Sequence, residues 1–225
     1  MTAPSAHLVA RRHEGRGAVL DFQVPSSHTD AYTRPGQYCV VHAGGAAGYF
    51  AIARVPGAGP LAFYVQPGGA TATALLALPI SASVEVDPPQ GPGFDLGRCR
   101  AATRVLAAAT GSGYAGLRAA VLVLAAEGRP VDLYLGLRRA ADRIFAEDEA
   151  AVLAAGGRVH LVLSRPEDGD PDPYRVGYVQ AALAADAPSL AGAAVLGCGQ
   201  KDMLHELRRV GASLGLPEGG VLTNF

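Results

Sequence analysis

Two glycine-rich turns carry most of the chemistry legible in this chain. The apolar run Arg104-Val105-Leu106-Ala107-Ala108-Ala109 ends in Thr110-Gly111-Ser112-Gly113 and opens at once into an Ala/Leu-rich helical stretch. A second run, Ala193-Ala194-Val195-Leu196, ends in Gly197-Cys198-Gly199-Gln200 and opens into a helical stretch holding Met203. Glycine lets backbone approach a ligand closely, and a helix N-terminus aims N–H groups at an anion. Cys198 falls at the C-terminal end of a strand, the edge along which open α/β sheets bind ligands. Together the turns point to nucleotide binding coupled to redox chemistry.

The bulk of the sequence narrows the setting for that chemistry. Its 225 residues suit one large domain or two smaller ones, and 49% apolar content supplies a core. A net charge of −1 with no basic run argues against nucleic acid and against an electrostatic membrane anchor. The three cysteines, Cys39, Cys99 and Cys198, form no Cys-x-x-Cys pair, so a disulfide framework, a zinc site or an iron–sulfur cluster is not expected. His13, His28, His42, His160 and His205 are widely separated and share no metal-ligand spacing, so no metal is expected. Arg11, Arg12 and His13 interrupt the N-terminal apolar residues, and no apolar run approaches the ~20 residues of a membrane span. The expectation is a soluble, cytoplasmic protein.

The elements that must position the turns change character near Arg100. Before it, short apolar runs at 18–24, 37–42, 49–53, 61–66 and 83–86 are separated by Gly/Pro turns, and 71–78 reads as an inserted helix. That pattern predicts a small antiparallel barrel or sandwich. Pro88-Pro89-Gln90-Gly91-Pro92-Gly93 reads as a rigid loop closing this half. After it, strand-like runs at 104–109, 131–136, 158–163 and 193–196 alternate with helical stretches at 114–127, 140–155, 178–185 and 201–214. Such alternation predicts a parallel sheet with helices on both faces. The expected domains are 1–100 and 101–225, with an exposed acidic loop at 166–173. Val121-Leu122-Val123-Leu124 is expected to pack its helix on the sheet, and Glu147-Asp148-Glu149 to be a solvated face.

Pro35-Gly36-Gln37-Tyr38, Gly91-Pro92-Gly93-x-Phe, Thr110-Gly111-Ser112-Gly113, Cys198-Gly199-Gln200-Lys201-Asp202-Met203 and the ending Leu222-Thr223-Asn224-Phe225 occur in that order. The set resembles the ferredoxin–NADP reductase-like superfamily, in particular a plant and bacterial branch of FAD/NAD-binding reductases. The resemblance implies a flavin-holding β-barrel followed by an α/β domain for NADPH or NADH. It departs from the family pattern in three places. Gly116 stands where proline is usual, and Gln200 replaces the proline of Cys-Gly-Pro. The flavin motif Arg-x-Tyr-Ser is replaced by Gly48-Tyr49-Phe50-Ala51, running on into Ile52-Ala53.

The resemblance implies a role for each matching residue. Phe50, Ala51, Ile52 and Ala53 align with the flavin strand, and Phe50 supplies a stacking face. Gly69 with Thr71 or Thr73 would form the glycine-rich flavin turn, and spacing does not choose between the threonines. Thr110, Gly111, Ser112 and Gly113 would cradle the nucleotide diphosphate, with Cys198, Gly199 and Gln200 beside the nicotinamide. Arg138, Ser164 and Arg165 end two strands where the adenosine ribose is held. With no acidic residue there, they suit the 2′-phosphate of NADPH. Phe225 would cover the flavin. The implied activity is an NAD(P)H-dependent flavin oxidoreductase, and the electron acceptor is then a separate protein or small molecule. The alternative is a flavin-less NAD(P)-binding regulatory or scaffold subunit.

Overall fold

The computed structural model describes residues 5–170 and 173–225. Six antiparallel strands open the chain: β1 (Ser5–Glu14), β2 (Gly17–Gln23), β3 (Tyr38–Ala43), β4 (Ala46–Ala51), β5 (Leu61–Val65) and β6 (Ser83–Val86). They lie in the order β4-β3-β6-β1-β2-β5, and a bridge from Ile52 to Phe63 joins the two outer strands into a barrel. Alternation writes the interior, since Leu8, Leu20, Phe22, Val41, Phe63, Val84 and Val86 all point inward. Helix α1 (Ser26–Ala31) follows β2, and α2 (Gly69–Ala77) lies against β3, β4 and β5 with Thr71, Ala72 and Leu75 buried. The longest strand, β1, lacks a clear sequence signal. A bulge between Leu8 and Ala10 breaks its alternation, and Arg11, Arg12 and His13 then run along it.

Helix α3 (Leu96–Ala101) connects to the second sheet, with Asp95 accepting the Arg98 N–H as its N-cap. There β7 (Arg104–Thr110), β8 (Val131–Leu137), β9 (Arg158–Leu163), β10 (Arg175–Val176), β11 (Ala193–Cys198) and β12 (Val221–Leu222) run parallel in the order β10-β9-β8-β7-β11-β12. Helices α4 (Gly113–Ala126), α5 (Glu149–Ala154), α6 (Val179–Asp186) and α7 (Lys201–Ser213) cover it. Strand β7 is buried on both faces, as a central parallel strand must be. The helix α4 buries Val121 and Leu124 fully. The two-residue edge strands β10 and β12 are too short to leave a pattern. Of the loop expected at 166–173, Pro171 and Asp172 lie outside the described residues.

The helix expected over 140–155 is replaced by two single 3-10 turns, Ala140–Asp142 and Ala146–Asp148, and the short α5. Between the turns Phe145 takes a left-handed φ of 54°. Tertiary contacts hold it there: its N–H donates to Glu14 Oε2 at 2.9 Å, and its ring packs edge-on to Tyr64 and Tyr114. Burial of this one aromatic overrides the helical propensity of its alanine-rich neighbours.

The same segment corrects the expectation of a solvated acidic face, because Asp148 is buried. Its carboxylate accepts Arg118 Nε at 2.7 Å and Nη2 at 2.8 Å, and the Tyr114 hydroxyl at 3.1 Å. The remaining Arg118 Nη1 donates to Ala53 O of the barrel at 2.9 Å, and its guanidinium lies over the Phe145 ring, 4.3 Å from the centroid. Burial pulls the arginine pKa down, but the bonds and charge of Asp148 outweigh it and the net shift is upward. A cleft of about 500 Å³ flanks this clamp between Val19, Asp21, Arg54, Leu122 and Phe145. Its Arg54 is paired with Asp21 at 2.8 Å.

On the far strands His160 stacks on Tyr134 with centroids 4.3 Å apart, and Tyr134 donates to Asp186 at 3.1 Å. Burial lowers the His160 pKa, against the opposing pull of Asp186. The folded state therefore binds a proton less readily than the unfolded chain, so this histidine weakens folding as pH falls below its ordinary value near 6.5. We expect urea midpoints to drop from pH 7 to pH 5.5, and His160→Phe to flatten that drop. We expect Asp148→Ala to cost about 3–5 kcal/mol, measured by urea unfolding, because it strands a buried guanidinium.

Candidate functional site

The two glycine turns meet at the C-terminal edge of β7 and β11. Thr110 Oγ1 accepts the Gln200 N–H at 3.1 Å, tying the turns together. A Cβ at Gly113 would lie 2.7 Å from Gly199 Cα, so no larger residue fits there without displacing backbone. Gly199 has a φ of 145°, open to glycine alone, and a Cβ on it would overlap Thr110 Oγ1. Ser112 N-caps the 14-residue α4 without a side-chain bond, and the Tyr114 and Ala115 N–H groups of its first turn close back on Gly111 O at 3.3 Å and Ser112 O at 3.1 Å. Gly111 N–H donates to Gly136 O at 2.9 Å, fixing the turn against β8.

The chain's end brings the barrel to this edge. Asn224, buried beside β12, donates from Nδ2 to Gly36 O of the barrel at 2.9 Å. Its Oδ1 accepts the Cys198 thiol at 3.8 Å. A Cβ on Gly116 would lie 3.0 Å from Cys198 Sγ, 3.2 Å from the Ala51 methyl and 3.7 Å from Asn224 Nδ2. Thiol, flavin-type strand and C-terminal tail thus converge over Gly116, which explains a residue without a side chain where proline was expected. The ending Leu222-Thr223-Asn224-Phe225 stood out in the sequence, but the part played by Asn224 depends on the tail passing between the two sheets.

The barrel wall carries the remaining positions. Phe50 is half-buried, and its ring lies against Gly48, where a Cβ would come within 2.8 Å of the ring and 3.3 Å of the Thr71 methyl. Tyr49, on the opposite face of β4, is exposed and meets Tyr38 edge-to-face. Ile52 and Ala53, just past the end of this strand, turn their side chains inward. Both are fully buried, and their N–H groups are spent on Gln37 O and Ala62 O. Thr71 is buried at the start of α2, whereas Thr73 is exposed and donates back to Gly69 O at 2.9 Å. Gly68 caps α2 without a side-chain bond, and nothing lies within 4 Å of where a Cβ would stand on Gly68 or Gly69. The Phe50 ring and the start of α2 thus lie on one side of the barrel, with the Thr71 methyl near the ring. Position 48 itself carries no side chain.

At the other end of the edge, Arg138 and Arg165 are exposed, and the Arg165 N–H donates to Arg138 O at 2.9 Å. Among the described residues neither has a carboxylate within 4 Å, whereas Arg139 pairs with Glu167 at 2.9 Å. Ser164 is half-buried beneath them, and Tyr178 is exposed nearby in sequence at the start of α6. Phe225 is 70% exposed, its carbonyl accepting the Thr223 hydroxyl.

No family model and no curated protein matches the sequence. Solved structures match over nearly its whole length. A ferredoxin reductase in carbazole 1,9a-dioxygenase has a TM-score of 0.84 at 18% identity, covering 99% of this chain and 69% of that one. A cytochrome P450 reductase from Amycolatopsis has a TM-score of 0.83 at 24% identity, covering 98% and 68%. The cytochrome b5 reductase domain of Ulva prolifera nitrate reductase has a TM-score of 0.79 at 17% identity, covering 96% and 94%. The chain has the two-domain ferredoxin–NADP reductase-like fold. No helix of the described residues is long and apolar enough to cross a membrane.

Burial raises the Cys198 thiol to about 11, Cys99 to about 11 and Cys39 to about 12. Cys198 at neutral pH is therefore a thiol that donates to Asn224, and not a nucleophile. We expect iodoacetamide at pH 7.5 to leave all three cysteines unlabelled in the native protein and to label all three in denaturant, read by intact mass.

Proposed function

We propose that this protein is an NAD(P)H-dependent flavin oxidoreductase, carried above all by the convergence of Cys198, Asn224 and Ala51 over Gly116, beside the turns that Thr110 ties together. The solved structures of this fold include a gonococcal ferredoxin NADP+ reductase with bound FAD and NADP, which supports the cofactor pair. When bound, the nicotinamide would supply a hydride for the flavin to take up, and this chain's residues bind, orient and exclude water. Thr110, Gly111, Ser112 and Gly113 hold a diphosphate on the α4 N-terminus, and Gly199 and Gln200 close the turn over it. Cys198, kept protonated and aimed by Asn224, shapes the space beside the reacting ring. Phe50, Ala51, Gly69 and Thr71 hold the flavin, and Phe225 covers it. Arg138 and Arg165, exposed and with no carboxylate within 4 Å among the described residues, favour NADPH over NADH. The flavin domain spans 1–100 and the nucleotide domain 101–225, and electrons pass to a separate acceptor in the cytoplasm.

The glycine at position 48 removes a charge-assisted contact worth roughly 1.5–3 kcal/mol, or about one to two decades of affinity. That observation favours a second reading, a flavin-less NAD(P)-binding regulatory or scaffold subunit. An absorption spectrum of the gently purified protein, supplemented with FAD and then reduced anaerobically with NADPH, separates the two. The reductase reading expects flavin bands that bleach; a colourless protein that binds NADPH but no flavin supports the second. We further expect Arg138→Ala with Arg165→Ala to weaken NADPH binding about tenfold or more while leaving NADH unchanged, measured by fluorescence titration. Deleting Phe225 is expected to alter nicotinamide affinity or the flavin spectrum.

A further inference from the structure

The barrel's outer wall brings His42 against two carboxylates, Glu85 and Asp87, that lie more than 40 residues further along the chain. Strands β3 and β6 pair so that His42 stands opposite Glu85. Val41, Val84 and Val86 point into the core, which turns His42, Glu85 and Asp87 to the outer face. Asp87 is anchored by its N–H, which donates to Val40 O at 2.8 Å. Nε2 of His42 lies 3.3 Å from Asp87 Oδ1, and one donor atom from each of the three residues falls within 4.8 Å of the others.

Two further features set this trio apart from an ordinary surface ion pair. Two carboxylates face a single imidazole, and among the described residues no Arg or Lys lies within 4 Å of either, although most of the chain's ion pairs involve arginine. The 3.3 Å separation of His42 and Asp87 also matches the ~3.4 Å between two ligand atoms on one tetrahedral zinc, given bonds of about 2.0–2.2 Å. Glu85 completes the set by a rotamer change at the exposed sheet surface. One imidazole nitrogen with carboxylate oxygens suits zinc or a neighbouring transition ion, whereas magnesium and calcium take all-oxygen shells.

We propose that His42, Glu85 and Asp87 form a divalent transition-metal site, with Zn²⁺ as the best-suited ion and water in its fourth position. Its role is structural. It joins β3 to β6 where Asp87 leads into the 88–93 loop, whose Gln90 exchanges both backbone bonds with Tyr38. Since Tyr38 and Gly91 pack together beside the Asn224 backbone, a bound ion would stiffen the barrel side of the domain joint. The site uses none of the residues assigned to flavin or nucleotide.

The test is calorimetric titration of the chelator-treated full chain with zinc chloride, alongside melting curves with and without the metal. The expected result is one saturable equivalent and a higher melting temperature with zinc but not with magnesium. Asp87→Asn and His42→Ala are each expected to weaken zinc by about tenfold or more, and His205→Ala, on α7, to leave it unchanged. Should His42→Ala unfold by circular dichroism, Asp87→Asn with Glu85→Gln carries the comparison. Absence of saturable binding, or affinity indifferent to these substitutions, overturns the proposal. Neither outcome depends on whether flavin binds.

Discussion

The relation between the two sheets depends on one buried ion pair. Arg118 spends two nitrogens on Asp148 and the third on Ala53 O, at the end of the strand that carries Phe50 and Ala51. A guanidinium is suited to this because its planar fork satisfies a carboxylate in two places and still has a donor left. Removal from water is costly for both charges, and the Tyr114 hydroxyl, the Phe145 ring and the barrel carbonyl offset that cost. The clamp acts as a spacer that sets how the barrel strand meets α4.

The second tie is smaller and lies on the site itself. Asn224 reaches from the C-terminal tail to Gly36 while its carbonyl oxygen meets Cys198. Arg118 and Gly116 sit two residues apart on α4, so ion pair and thiol act on one helix. Register across the cleft therefore follows from two contacts on α4: a charged one to Ala53 and a packed one to Ala51.

The barrel wall shows how a binding surface changes when one large residue is absent. With glycine at 48, the Phe50 ring lies down against the backbone beside the Thr71 methyl. The aromatic face and the open start of α2 remain, and the charge is gone. A ligand held there depends on stacking and backbone N–H groups, which are weaker than a bidentate guanidinium.

Sequence alone determined the features that depend on local pattern. The barrel-then-parallel-sheet order, most strands, and the two glycine turns with Cys198 follow from periodicity, turn chemistry and short-range spacing. Tertiary structure decided whatever depends on partners distant along the chain. The left-handed Phe145 needed Glu14, the burial of Asp148 needed Arg118, and the place of Asn224 needed Gly36. His42 met Glu85 and Asp87 only because β3 and β6 are neighbours in the barrel. Ile52 and Ala53 have their side chains in the interior for the same reason. A motif shows which residues adjoin along the chain, but only the closed sheet decides which face each one takes.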